Sequence, residues 1–563
     1  MRAPFFAVFV ITLFASTMCA QVTSAPTKKA ATSKPSDRQL AISYNFRVDP
    51  QVKDYDEGDY EVTMTLEGLP TGNFEVAIPA WKPGSYRLLN SYKHVKDLRA
   101  DSPQGKLRVK RNGKYGWQIE GDHGGRARIH YRGRTAKKLE TWMALEGPEH
   151  WLYLVGGLRA PHRVSFELPA NWRVATGLER QKTGEQTYYV AADFDTFADC
   201  PIELGEIEIH EFKVADTSYF LTYNISPSFS HRKMQAMCEK LIVAQSKLFG
   251  EVPWKNYYFM WQLQNQGNTG GGLEHLNSTT LAIPQFVMRK NVETMADLVS
   301  HEFFHAWNVK RIRPFELGPF DYSGPVRVKS LWFVEGVTDY YASRICRDAG
   351  IWDSNRLLAD FKKEINSLSN KRAYQSESIE EASWKIWDRN YYSPQGLDYY
   401  NYGKIMGLLL DIEIRAASEN KKSLDDVMRD LNQRFSLPKA GYRDSDLIDA
   451  CSQAAGQDMS EFFANYVSGK KAIPFREFLA KAGILYHEER NPRRDRNAIG
   501  QMLPKVEVEA IESDDEDAAS TFRVTSAPED SKFKAGDIIL RFNRKAPHRP
   551  RAKQTFIGYN ANR

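Results

Sequence analysis

At 563 residues the chain is longer than a single hydrophobic core organises, and three or four domains are expected. A hydrophobic fraction of 42% and a charged fraction of 26% are those of an ordinary soluble globular protein. The formal net charge of +6 is mild, with Lys and Arg intermixed among Asp and Glu, which excludes a nucleic-acid footprint.

The first twenty residues, "MRAPFFAVFVITLFASTMCA", place Arg2 ahead of an apolar run too short to span a bilayer, the form of a secretory signal peptide over residues 1–20. Ser16-Thr17-Met18 is a poor lead-in for lipidation at Cys19, so an exported protein, periplasmic or secreted, is expected rather than a lipid-anchored one. Residues 21–37 are small, polar and Pro-bearing and read as a disordered lead-in. Over residues 38–212 the pattern is β: Tyr60, Val62, Met64 and Leu66 alternate, Asn112-Gly113 separates two alternating runs, and "PAWKPGSY" is a Pro/Gly turn.

Residues 213–350 mix both periods. "SHRKMQAMCEKLIVAQSKLFG" is an amphipathic helix with Met234, Cys238, Leu241 and Ile242 on one side, and Tyr257 to Leu263 reads as a strand before a Gly-rich corner. Residues 351–489 are mostly helical, "RNPRRDRN" is a basic linker, and residues 498–563 turn extended around the acidic run "ESDDED". No later stretch is apolar enough for a transmembrane segment. Cys200, Cys238, Cys346 and Cys451 are scattered, which argues for buried free thiols rather than a disulfide framework or a zinc ribbon.

The chemistry concentrates in "SHEFFHAWNVKRIRP". Residues four apart lie one turn above each other on a helix, so His301 and His305 can grip one Zn2+, and Glu302 stands beside them to handle the proton of an attacking water. Met295, Val299, Phe303 and Ala306 give that helix its own burial face. A third ligand comes from "SLWFVEGVTDYYASRI": Glu335 completes a His-His-Glu set. Asp339, four residues on, can take the free ring N–H of a liganding histidine. In "NTGGGLEHLNSTTL", Gly271 and Gly272 allow backbone to approach a ligand, and Glu274 offers a fixed carboxylate to the α-ammonium of a substrate.

"GGLEHLNSTTL", "HEFFHAWNVKRIRP" and "LWFVEGVTDYYA" together resemble the glycyl aminopeptidase family of zinc metallopeptidases, within the thermolysin-like gluzincin group. "PAWKPGSY" and "DFDTFADCPIELG" resemble that family's amino-terminal β domain, and "FFANYVSGKKAIPFREFLAKAG" the end of its helical domain. The resemblance implies a multidomain α+β protein. Its parts would be an N-terminal β-sandwich-like domain, a thermolysin-like zinc peptidase domain and a C-terminal helical domain. It further implies one zinc on His301, His305 and Glu335, Glu302 as general base, and Glu274 as the amine-binding residue. It also implies a tyrosine hydroxyl for the oxyanion in a Tyr-x-Lys-Gly pattern, which Tyr402-Gly403-Lys404 partly supplies; Tyr391, Tyr399 and Tyr400 lie close by. "VTSAPEDSKFKAGDIILRFNRKAP" resembles the later half of a PDZ domain, so a truncated PDZ-like β tail is expected.

The reading is a zinc aminopeptidase acting on peptides with a free N-terminus, with Gly or Ala at the cleaved end implied by the resemblance alone. The alternatives are an endopeptidase of the same fold and a non-catalytic peptide-binding protein with a PDZ-like tail. The oligomeric state is not legible.

Overall fold

The alternation in Asp59–Glu67 seats Tyr60, Val62, Met64 and Leu66 in one core, while the intervening side chains face outward. This strand pairs antiparallel with Ala41–Val48, which in turn pairs in parallel with His162–Glu167. They lie within an eleven-stranded sheet; a four-stranded sheet that includes Ile202–Gly205 and Trp142–Leu145 shares its core. The expected hairpin at Asn112-Gly113 joins Gly105–Asn112 to Gly116–Glu120. A computed structural model describes residues 40–48, 59–267, 270–369, 371, 373–388 and 396–489. It also describes the backbone of strands Glu507–Ile511, Thr521–Ser526, Ile538–Ile539 and Lys553–Tyr559. The expected signal peptide and lead-in lie outside the described residues, as does most of the PDZ-like stretch.

A second, five-stranded sheet follows, in the order Glu208–Val214, Thr217–Tyr223, Asn256–Gln264, Ser278–Pro284, Gly271–Glu274. Its strands Thr217–Tyr223, Asn256–Gln264 and Ser278–Pro284 run parallel to one another, so both faces need cover. The helix His231–Phe249 supplies part of it, buried through Met234, Cys238, Leu241 and Ile242. Ser230 accepts from the Lys233 N–H at its start, and Gly250 ends it in the left-handed conformation. Helices from Ser354–Ser369 to Phe475–Lys481 then pack into the same core as this sheet. The chain is thus a multidomain α+β protein with a β-rich N-terminal part and a helical C-terminal part.

Two contacts tie the β-rich part to the second sheet. Glu203, fully buried, accepts from Thr222 Oγ1 at 3.0 Å and from Gln262 Nε2 at 3.3 Å. Trp81 leaves the turn after Phe74–Ala77 and is buried in the core of the five-stranded sheet, its indole N–H donating to the Asp321 carbonyl at 2.7 Å. Cys200, Cys238, Cys346 and Cys451 are buried free thiols. Among the described residues no helix is long and apolar enough to cross a membrane.

Candidate active site

The helix Ala296–Phe304 carries the first half of the site. Val299, Phe303 and Ala306 are fully buried, and Met295 packs half-buried at the start. Gln245 of the neighbouring helix donates to the Ser300 carbonyl at 2.8 Å, and Phe304 stacks on Tyr341 with ring centroids 4.5 Å apart. His305 caps the helix, its N–H still bonded to the His301 carbonyl, so the spacing of four places both imidazoles on one side.

Glu335 does not sit on an ordinary α-helix as the sequence suggests. Trp332–Gly336 is a π-helical turn leading into the helix Val337–Asp348, a distortion that alters where carbonyls and side chains point. Asn308 accommodates it. Its side-chain amide donates to the carbonyls of Phe333 and Val334 at 3.0 and 3.3 Å and contacts Thr338 Oγ1 at 3.1 Å. The backbone carbonyl of the same residue lies 2.6 Å from His305 Nδ1. Sequence reading missed Asn308, because its part is played half by a backbone oxygen; its one local signal is its place three residues after His305.

The ligand atoms converge. His301 Nε2 and His305 Nε2 are 2.9 Å apart, and Glu335 Oε2 lies 3.2 Å from His305 Nε2 and 3.6 Å from His301 Nε2. His301 Nδ1 lies 2.7 Å from Asp339 Oδ1. Both Nδ1 atoms thus face acceptors, which places their protons there and aims two Nε2 lone pairs and a carboxylate oxygen at one buried point. Such a donor set could hold a cation. Donors about 2 Å from a tetrahedral zinc lie roughly 3.3 Å from each other, so the separations seen suit that ion. Among the described residues this is the one group of three or more acidic, His or Cys side chains close enough to hold a metal.

Glu302 is buried beside the pair. Burial pushes its carboxyl up to about 7, with Glu274 and Glu335 adding to the rise and the two histidines opposing it. Glu335 moves the other way: burial opposes ionisation, but His305 and His301 outweigh it and hold the carboxyl well below the usual range. Gly272 packs against Glu302 so closely that an added Cβ would overlap its carboxyl, whereas Gly271 faces open space. Glu274, at the end of the strand Gly271–Glu274, is buried, with Lys310 Nζ 3.6 Å from its Oε1. The same ammonium lies 2.8 Å from Asp199 Oδ1 of the β-rich part.

Tyr402 does not join this group. Its hydroxyl donates to the Tyr466 carbonyl at 3.3 Å, on another side of the helix Tyr399–Ala417. Gly403 explains why: it crosses Gly336 of the Glu335 turn with no room for a Cβ on either residue. Positions three and four before Gly403 share its face, and Tyr402 lies a third of a turn away. Tyr400 occupies that face, its ring stacked on His301 with centroids 6.1 Å apart. Lys404 is buried on Asp360 and Ser343 at 2.6 and 2.7 Å, so the Tyr-Gly-Lys triplet is a packing device here. Tyr391 lies outside the described residues.

A buried His-His-Glu set with a carboxyl beside it fits the metal-dependent class of peptidases. Comparison with known proteins gives the family. The sequence model of M61 glycyl aminopeptidase matches residues 294–406, and that of the peptidase M61 N-terminal domain matches residues 47–206. Both parts of the M61 glycyl aminopeptidase family, catalytic and N-terminal, are thus matched in this chain. It is similar in structure to an aminopeptidase N family protein from Idiomarina loihiensis. There the TM-score is 0.73 at 24% identity, covering 90% of this chain and 91% of that one. An M1 zinc metallopeptidase from Deinococcus radiodurans gives a TM-score of 0.47 at 13% identity, covering 78% and 96%. No curated protein matches.

Proposed function

We propose that this chain is an exported zinc aminopeptidase that removes small residues, glycine or alanine, from the amino ends of peptides. His301, His305 and Glu335 would hold one zinc, which when bound supplies a Lewis acid that polarises a carbonyl and acidifies water. Asp339 and the Asn308 carbonyl keep the two imidazoles in the liganding tautomer. Glu302, raised towards neutrality, takes the proton from the attacking water and returns it to the leaving nitrogen. Tyr400, whose ring stacks on His301, would donate its hydroxyl to the developing oxyanion in place of Tyr402.

Glu274 receives the substrate ammonium. The two carboxylates of Asp199 and Glu274 share a single Lys310 ammonium, which leaves one negative charge for an incoming cation. Lys310 is also the observation that favours the endopeptidase reading, because it already stands beside Glu274. The signal-like first twenty residues support export, and the family supports the small-residue preference.

The convergence of the two Nε2 atoms and Glu335 Oε2 carries the proposal. Glycine and alanine anilides should be hydrolysed by the purified protein and spared after chelation, with recovery on adding zinc. Glu302→Gln should lose several orders of magnitude in kcat while keeping its zinc. Equal cleavage of amino-blocked peptides would move the assignment to an endopeptidase.

A further inference from the structure

The turn after Phe74–Ala77 enters the site from the β-rich part. Ser85 N–H closes it onto the Lys82 carbonyl at 3.1 Å, with Gly84 at φ +82°. The turn is fastened at both ends. Lys82 pairs with Glu146 and with Glu149 at 2.8 Å, Ala80 N–H donates to the Tyr322 carbonyl at 2.8 Å, and Trp81 is buried in the catalytic core. A Cβ on Gly84 would lie 2.8 and 3.0 Å from the two carboxylate oxygens of Glu274, so the turn's backbone rests on that carboxylate.

Two residues on, the Tyr86 ring is braced by Trp81, with centroids 6.3 Å apart, and by Trp387 edge-on at 6.1 Å. It lines a cavity of about 80 Å³ together with Trp81, Gly84, Glu274, Lys310 and Phe320. That volume is small beside the roughly 300–1,000 Å³ of ordinary ligand pockets. Tyr86 is half-buried there, on the same cavity wall as the Glu274 carboxylate.

We infer that Tyr86 is a specificity-determining residue: its ring closes the pocket in which the substrate's first residue meets Glu274. The β-rich part, rather than the metal-bearing helix, thus sets the largest side chain accepted. This rests on the aminopeptidase reading. A ring held between two indoles does not yield to a bulky side chain, whereas glycine and alanine need no more room than the cavity offers.

The test is the ratio of kcat/KM for leucine p-nitroanilide to that for glycine p-nitroanilide, in the full chain and its variants. Tyr86→Phe keeps the ring and should keep the ratio within about twofold of wild type. Tyr86→Ala should raise it at least tenfold, roughly the discrimination that one or two methylenes give in a hydrophobic pocket. If Tyr86→Ala does not fold, Tyr86→Leu, smaller and unbraced, should raise the ratio in the same direction. An unchanged ratio in a folded Ala or Leu variant overturns the inference, as does an equal change in Tyr86→Phe, which would make the hydroxyl the determinant. In each of those cases wild-type turnover stands and the aminopeptidase reading survives. A wild type inert towards both anilides overturns that reading and this inference with it.

Discussion

At the residue scale the site depends on contacts with no slack. Gly272 touches Glu302 where a methyl group would have to displace the carboxyl. Gly272→Ala should therefore lower kcat by roughly one to two orders of magnitude, as small misplacements of a catalytic group do, with zinc content unchanged. Gly271→Ala, one residue away and facing open space, should stay within about twofold of wild type. Steady-state kinetics of the pair checks this; equal effects would mean that Glu302 is not held where the strand meets it. His301, His305 and Glu302 were legible in the sequence, because a spacing of four is a property of one helix alone. Asp339 was legible for the same reason, and it does meet His301. Asn308 was not, since a carbonyl oxygen and a π-helical turn leave no residue-type signature.

At the scale of elements, what mattered was which face of each helix packs inward. Tyr391, Tyr399, Tyr400 and Tyr402 compete for one role in the sequence. The crossing of Gly403 on Gly336, between segments some seventy residues apart, turns Tyr400 rather than Tyr402 towards His301. Tyr400→Phe should cost about 10²–10³ in kcat with little change in KM, the usual loss for one oxyanion donor. Tyr402→Phe should leave kcat intact and alter only stability. The opposite ranking would restore Tyr402.

A second element-scale prediction concerns Glu203, where the two sheets meet. Burial pushes its carboxyl up to about 7, against which its bonds from Thr222 and Gln262 work. The unfolded chain gives up this proton near pH 4.5 and the folded one near 7. The group therefore costs nothing below the first value and progressively more up to the second, on the order of 3 kcal/mol by pH 8. Glu203→Gln removes that term. Its stability relative to wild type, from denaturant midpoints, should rise between pH 5 and pH 8; a difference flat with pH would contradict the assignment.

At the scale of the whole molecule, the β-rich part is not an appendage to the catalytic part. Asp199 shares the Lys310 ammonium with Glu274, the Trp81–Tyr86 turn rests on the same carboxylate, and Glu203 bonds across to the second sheet. The sequence showed these stretches as β structure and as a family likeness. It could not show that they reach the site, because Gly84 and Glu274 are brought together by packing across some 190 residues. The convergence of His301, His305 and Glu335 on one cation remains the claim on which the chemistry depends. Zinc per chain, measured by elemental mass spectrometry on protein dialysed against a trace of the metal, tests it most directly. The account predicts one zinc in the wild type and in Glu302→Gln, and none retained in Glu335→Ala. A full equivalent of zinc in folded Glu335→Ala, or none in the wild type, would contradict it.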